Sequence, residues 1–262
     1  MNAAVGTVYG VGVGPGDPEL LTLKALRIIR AAPVLAYAAA EGVPSFARAI
    51  VEPHLEGLAA KAEIPLVMPM VAERFPAQDV YDRGAEAIRE HVQAGRDVAV
   101  LCEGDPMFYG SFMYLFGRLN GAFPMTVVPG VSSVMACAAV AGWPLVARND
   151  AFRVLPATLG DEALRQQIAD AEALAFMKVG RHLGRLKALL SEAGLLGHAV
   201  YVERASLPNQ RGLPRLELDE DRAPYFSMVL VHRRGGAHVL DASRHAVRLT
   251  TGSARGGALR RA

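Results

Sequence analysis

The sequence predicts an α/β protein made of two α/β domains, and three observations carry that expectation. Short runs rich in Val and Leu alternate with longer segments of helical period, Gly- and Pro-bearing loops follow several of the short runs, and one Gly/Pro/polar stretch separates two such series. With 52% apolar and 21% charged residues over 262 positions, the chain is long enough and apolar enough to bury one large core or two modest ones.

In chain order, the alternation predicts a strand at Thr7–Val13 before a helix at Leu20–Ala31, and a strand at Val34–Tyr37 before a helix at Ser45–Glu52. A strand at Asp97–Cys102 with a helix at Ser111–Leu119, and a strand at Met125–Val128 with a helix at Ser132–Ala141, continue the rhythm. The stretch Gly142-Trp-Pro-Leu-Val-Ala-Arg-Asn-Asp150 then reads as a link, which gives a first domain of 1–147 and a second of 148–235. Beyond it the series resumes at Phe152–Leu155, Asp161–Ala169, Leu174–Val179, Leu183–Ala193 and His198–Glu203. Arg215–Leu218 and Tyr225–His232 are two further expected strands with no helix between them, so the second sheet is expected to be mixed. The pattern weakens after Arg233-Arg-Gly-Gly236, and 236–262 reads as a flexible C-terminal extension.

A formal net charge of +2 is too small for general nucleic-acid binding, so any anionic partner must meet a local patch. The two cysteines, Cys102 and Cys137, form no Cys-x-x-Cys pair, and the seven histidines show no zinc spacing, so no metal is expected. Cys102 closes an apolar strand and is expected to be buried rather than reactive. The apolar stretch Ile28–Ala40 holds Arg30 and Pro33, and the N-terminus lacks a basic region before an apolar core. A cytoplasmic protein that does not engage membranes is the expectation.

Three loops at strand ends are candidates for one pocket. Gly10-Val-Gly-Val-Gly-Pro-Gly-Asp-Pro18 fails the dinucleotide fingerprint, because the third glycine position falls on Pro15 or Asp17, and no Gly-Lys-Ser/Thr step follows to cradle phosphate. Pro15, Gly16 and Pro18 instead make it stiff and sharply turned, with Asp17 placed to cap the following helix. Glu103-Gly-Asp-Pro106 follows the third strand, and Pro129-Gly-Val-Ser-Ser133 opens a helix after the fourth.

Taken together, Gly14-Pro-Gly-Asp-Pro-Glu-Leu-Leu-Thr22, Gly104-Asp-Pro106, Pro129-Gly-Val-Ser-Ser133, Phe176-Met177 and Glu203-Arg-Ala-Ser-Leu-Pro-Asn-Gln-Arg211 resemble the ordered motifs of the tetrapyrrole (corrin/porphyrin) methyltransferases, from about Thr7 to His232. Within that family, Glu103-Gly-Asp-Pro-Met-Phe-Tyr-Gly-Ser-Phe-Met-Tyr114 is most similar to the members that methylate carbon 20 of precorrin-2 or of its cobalt form. Uroporphyrinogen methylases tend to carry Gly-Gly-Asp-Pro and then a Phe-Gly-Arg step, where this chain has Glu103 and, after Gly110, Ser111.

The resemblance implies two α/β domains with a cofactor cleft between them, binding S-adenosylmethionine and releasing S-adenosylhomocysteine. Carried over by position, it points to Pro15, Gly104, Asp105, Phe108, Ser132 and Ser133, then to Met177, Ala205 and Ser227, for the cofactor. Tyr109 and Glu103 are the candidates for assisting the macrocycle; Tyr109 also reads as an aromatic wall or core residue, and Glu103 as a residue that tunes substrate choice or as a loop cap. The substrate is a polycarboxylate, so Arg48, Arg74, Lys178, Arg181 and Arg204 are candidates for meeting it. The implied reaction converts precorrin-2 to precorrin-3A in corrin synthesis by a homodimer. Cobalt-factor II, another ring position, the diphthine or ribosomal-RNA methylases of the same fold, a nucleotide-binding oxidoreductase and a non-catalytic tetrapyrrole carrier are the competing readings.

Overall fold

The computed structural model describes residues 4–68, 75–216 and 218–235. The chain divides into two compact units between Ala136 and Cys137. The first carries strands β1 (Val8–Gly12), β2 (Val34–Ala40), β3 (Ala62–Met68), β4 (Val98–Cys102) and β5 (Met125–Val128). They form a wholly parallel sheet in the order β3-β2-β4-β1-β5. Helices α1 (Leu23–Ala31), α2 (Phe46–Val51), α3 (Phe75–Gln93) and α4 (Phe112–Leu119) cover it, and α5 (Ser133–Ala141) runs across the point of division.

Alternation along each strand assigns the helices to faces. Val98, Val100 and Cys102 of β4 pack with Tyr81 and Ile88 of α3 and with Phe112, Leu115 and Leu119 of α4. Ala99 and Leu101 point the other way, into a core with Ala25 and Ile29 of α1 and Ile50 of α2. The chain therefore leaves β1 through α1 toward β2 over one face, and leaves β4 through α4 toward β5 over the other. β1 and β4 are neighbours, so a topological switch point lies at their carboxyl ends, where open parallel sheets bind ligands.

Side-chain caps fix where the chain enters these elements. Asp17 Oδ1 accepts the Glu19 N–H at 2.8 Å and caps a short 3-10 turn, Pro18–Leu20, while Thr22 Oγ1 caps α1 at Ala25 N, 3.1 Å away. The single helix expected from Leu20 is thus a turn and then a helix from Leu23.

The second unit holds β6 (Phe152–Pro156), α6 (Asp161–Ala169), β7 (Ala173–Met177), α7 (Leu183–Glu192), β8 (Ala199–Glu203), β9 (Arg211–Leu213) and β10 (Ser227–His232). Its sheet, in the order β6-β7-β10-β8-β9, is mixed as expected: β6 and β7 are parallel, and β10 runs antiparallel to both β7 and β8. Leu164, Ile168, Leu186 and Leu190 of α6 and α7 pack on Phe176, Tyr201 and Val229. The end of the 142–150 link is fastened by Asp150, which accepts from Ala147 N at 3.0 Å, faces His232 Nε2 at 3.3 Å and pairs with Arg234. The Arg234 hydrogen bond, followed by the Ala147 N–H, holds the Asp150 carboxyl down at about 2.

Two expectations need correction. The strand read at Arg215–Leu218 does not form: β9 lies at Arg211–Leu213, and 214–216 and 218 are outside any strand. Leu216 and Leu218 are nonetheless buried, and Leu216 N donates to Ala199 O at 2.9 Å. The alternating pattern thus records one-sided burial without a ladder. Conversely, β3 and α3 occupy a region where the alternation gave no element. Arg74 and the extension 236–262 lie outside the described residues.

Candidate active site

At the switch point the first and second loops are stitched together. Val13 N donates to Cys102 O at 2.9 Å, and Gly14 and Gly104 exchange backbone hydrogen bonds, Gly104 N to Gly14 O at 2.8 Å and Gly14 N to Gly104 O at 3.3 Å. Both glycines are left-handed, at φ of 81° and 63°, a conformation that side chains resist. The third loop is drawn in by close approach. A Cβ on Gly130 would lie 2.1 Å from Gly104 O, and one on Gly12 would lie 2.6 Å from Gly130 N, so neither position accepts a methyl group.

Asp105 bolts this arrangement. Its Oδ2 accepts the Gly130 N–H at 3.0 Å, and its Oδ1 accepts the Met107 N–H at 2.9 Å. Of the residues expected at the cofactor, Asp105 therefore has its carboxylate committed to shaping the loops. Gly104 presents backbone, and the start of α5 lies beyond it: a Cβ there would come no nearer than 3.8 Å to Val131 O and 3.9 Å to Ser133 N. Pro15, Ser132 and Ser133 are half-buried around the same loops, with Ser132 Oγ accepting the Val134 N–H at 3.2 Å.

After Pro106 the chain exposes an aromatic pair, Phe108 and Tyr109, 37% and 43% accessible, edge to face at 5.1 Å. Tyr109 is left-handed at φ 56°, a conformational cost that functional sites often retain. Glu103 is accessible, yet desolvation by its surroundings raises its carboxyl above the ordinary carboxylate range, opposed by the Ala47 backbone N–H. Cys102 is buried, as expected, and desolvation pushes its thiol up.

In the second unit, Met177 ends β7, Ser227 begins β10, and Ala205 follows β8 by two residues. Because β10 is antiparallel to β7 and β8, the three come from one end of this sheet. Ser227 pairs with Glu203 in register and donates its hydroxyl to Pro224 O at 2.7 Å. Lys178 follows Met177 with a left-handed backbone, φ 56°, and an exposed side chain.

The candidate substrate cations differ in their commitments. Arg48 is paired with Glu52 and with Glu63, the latter at 3.0 Å, on the wall of a separate surface pocket of about 490 Å³ with Lys61 and Leu55. Arg204 faces Glu203 at 3.4 Å, and Arg181 is exposed. Glu203, Tyr201, Gly12 and Gly130 were not singled out by sequence reasoning as site residues. Glu203 opens one of the recognised motifs, which was the available signal; the closeness of the two glycines depends on strand register. Among the described residues, no group of three or more His, Cys, Asp or Glu is placed to hold a metal ion, and no helix is long and apolar enough to cross a membrane.

A family model of the Tetrapyrrole (Corrin/Porphyrin) Methylases matches residues 7–219. The chain is 45% identical over 235 residues to a precorrin-2 C(20)-methyltransferase from Sinorhizobium sp, spanning 87% of this chain and 95% of that protein. It is 33% identical over 233 residues to the cobalt-precorrin-2 C(20)-methyltransferase of Salmonella typhimurium, spanning 87% and 97%. Among solved structures it resembles a uroporphyrin-III C-methyl transferase from Thermus thermophilus complexed with S-adenyl homocysteine, at 29% identity and a TM-score of 0.61, over 86% of this chain and 97% of that one. The three stitched loops and the turn after β8 all fall inside the matched span, and this chain belongs to the tetrapyrrole (corrin/porphyrin) methylase family.

Proposed function

We propose that this protein is an S-adenosylmethionine-dependent C-methyltransferase that methylates precorrin-2 at carbon 20, giving precorrin-3A in corrin (cobalamin) biosynthesis. The observation that carries this reading is the 45% identity, over nearly the whole of both chains, to a relative named for that reaction. The lower identity to a relative named for the cobalt form makes cobalt-precorrin-2 the second candidate substrate. A cytoplasmic homodimer, with a first domain at 1–147 and a second at 148–235, completes the reading; sedimentation tests the dimer.

The residues present suit such a cofactor. The loops after β1, β4 and β5 converge through glycines, so backbone groups can approach a compact amino-acid and nucleoside ligand closely. Pro15, Gly104, Asp105, Phe108, Ser132 and Ser133 are proposed cofactor contacts, and so, each by its own position in the recognised motifs, are Met177, Ala205 and Ser227. S-adenosylmethionine supplies a methyl group on a sulfonium, and its in-line transfer to a carbon nucleophile demands above all that the two be held close and aligned. Positioning is thus the main task of these loops. In this reading Glu103, whose carboxyl pKa desolvation raises, would hold or take up a proton at its carboxylate, and the exposed Tyr109 would offer its ring to the macrocycle. Lys178, Arg181 and Arg204 are the described cations proposed to meet substrate carboxylates, while Arg48 is paired with Glu52 and Glu63.

Equilibrium titration separates this reading from an oxidoreductase. S-adenosylhomocysteine is expected to bind and NADH is not; the reverse result would replace the proposal.

A further inference from the structure

Glu203 is a carboxylate sealed into the end of β8, 7% exposed. Tyr201, two residues earlier on the same face and 1% exposed, donates its hydroxyl to Glu203 Oε2 at 2.8 Å. The other oxygen, Oε1, faces Arg204 Nη1 at 3.4 Å and Arg211 Nη1 at 4.0 Å; Arg211 stands opposite in register on β9. A buried carboxylate is costly unless charges and hydrogen bonds compensate it. Here one hydroxyl and two guanidinium groups do so.

The pairing with Arg204 has a geometrical condition. In a continuing strand, residues 203 and 204 would point to opposite faces. Arg204 instead turns left-handed at φ 50°, and Ser206 does so at φ 68°, so that Ala205 lies between two non-glycine residues in a disfavoured conformation. Arg204 N donates to Phe226 O at 2.7 Å, Leu207 N to Arg204 O at 3.0 Å, and Ser206 N to Gln210 Oε1 at 2.9 Å. The turn brings the guanidinium back to Glu203, and Glu203 in return opposes the turn's relaxation.

We propose that Glu203, held by Tyr201, is a positioning residue: it fixes Arg204 and the left-handed turn, and so fixes the backbone of Ala205 where the cofactor meets it. The inference rests on the proposed contact between Ala205 and S-adenosylmethionine. Glu203 itself touches neither cofactor nor reacting atoms in this account. Its effect belongs to cofactor affinity and not to the chemical step.

The test uses the full chain and four variants: Glu203→Gln, Tyr201→Phe, Arg204→Ala, and Glu203→Gln combined with Arg204→Ala. Calorimetric titration with S-adenosylhomocysteine gives Kd, and steady-state kinetics give separate KM values for S-adenosylmethionine and precorrin-2. Glu203→Gln is expected to raise the Kd and the cofactor KM roughly tenfold, as for loss of a charge-assisted contact, with kcat at saturation within about twofold of wild type. Tyr201→Phe moves the same quantities in the same direction by less. The double variant is expected to bind within about twofold of Arg204→Ala alone, because the two residues act through one contact. An unchanged Kd in Glu203→Gln, a loss confined to kcat, or multiplying effects in the double variant would overturn the inference alone. Wild-type protein that binds no S-adenosylhomocysteine overturns the cofactor reading and the inference with it. If Glu203→Gln does not fold, Tyr201→Phe carries the same test: it must raise Kd while leaving kcat.

Discussion

Asp105 and Gly130 are joined across two loops by a 3.0 Å hydrogen bond, from the Gly130 backbone N–H to the Asp105 carboxylate. The second oxygen of Asp105 accepts from Met107 N at 2.9 Å, so one side chain sets both the shape of its own loop and its distance from the next. Asp105→Ala removes both bonds. Each amide left without a partner costs about 1–3 kcal/mol where water does not replace the carboxylate. Urea denaturation is expected to show a loss in that range, accompanied by weaker S-adenosylhomocysteine binding; Asp105→Asn, which retains one acceptor oxygen, is expected to lose less.

Gly130→Ala tests the close approach of the loops. The added methyl would sit 2.1 Å from Gly104 O, and the backbones of two loops would have to separate to admit it. Overpacking of this kind costs about 1–3 kcal/mol, and the separation is expected to abolish measurable cofactor binding. Gly117→Ala is the matched control: Gly117 lies within α4 with nothing inside 4 Å of its added Cβ. It is expected to gain about 0.5–1 kcal/mol with binding unchanged. Equal affinity in both variants would contradict the stitched-loop account.

Glu103 gives a pH signature. Desolvation raises its carboxyl pKa, so the folded protein holds this proton more tightly than the unfolded chain. The resulting stability is fully present below the unfolded pKa and is lost as pH rises through the folded one. Glu103→Gln is therefore expected to be more stable than wild type at pH 7 and to lose that advantage near pH 4, as read by thermal denaturation. If the carboxylate also takes up a proton in turnover, the acid limb of kcat lies above the ordinary carboxylate range in wild type and flattens in Glu103→Gln. A limb that survives the substitution removes Glu103 from that role. Unchanged turnover in Tyr109→Phe would likewise confine Tyr109 to a ring contact.

Much of this was legible in the chain because local chemistry coincides with the fold. The all-buried run Val98–Cys102 gives a central strand, Asp17 gives a cap, and Gly104-Asp-Pro106 gives a loop at a strand end. β3 was not legible: Pro65 interrupts it and most of its side chains are exposed, which is tolerable only because it lies at the sheet edge. Gly84 similarly weakens the helical pattern of α3, yet a Cβ there would fall 1.9 Å from Leu66 Cδ2, so the glycine is a packing requirement of a strand that had not been seen. At the site, residue types marked the loops. What they could not mark was that Gly12, Gly104 and Gly130 meet, or that Arg204 turns back onto Glu203, since both follow from register and backbone handedness.

Methylation at carbon 20 is decided by locating the transferred methyl group. Wild-type protein incubated with precorrin-2 and S-adenosylmethionine labelled at its methyl carbon, followed by NMR of the isolated product, is expected to place one label on carbon 20. A label at any other ring position, or no transfer to precorrin-2 under conditions where the cofactor binds, would contradict it.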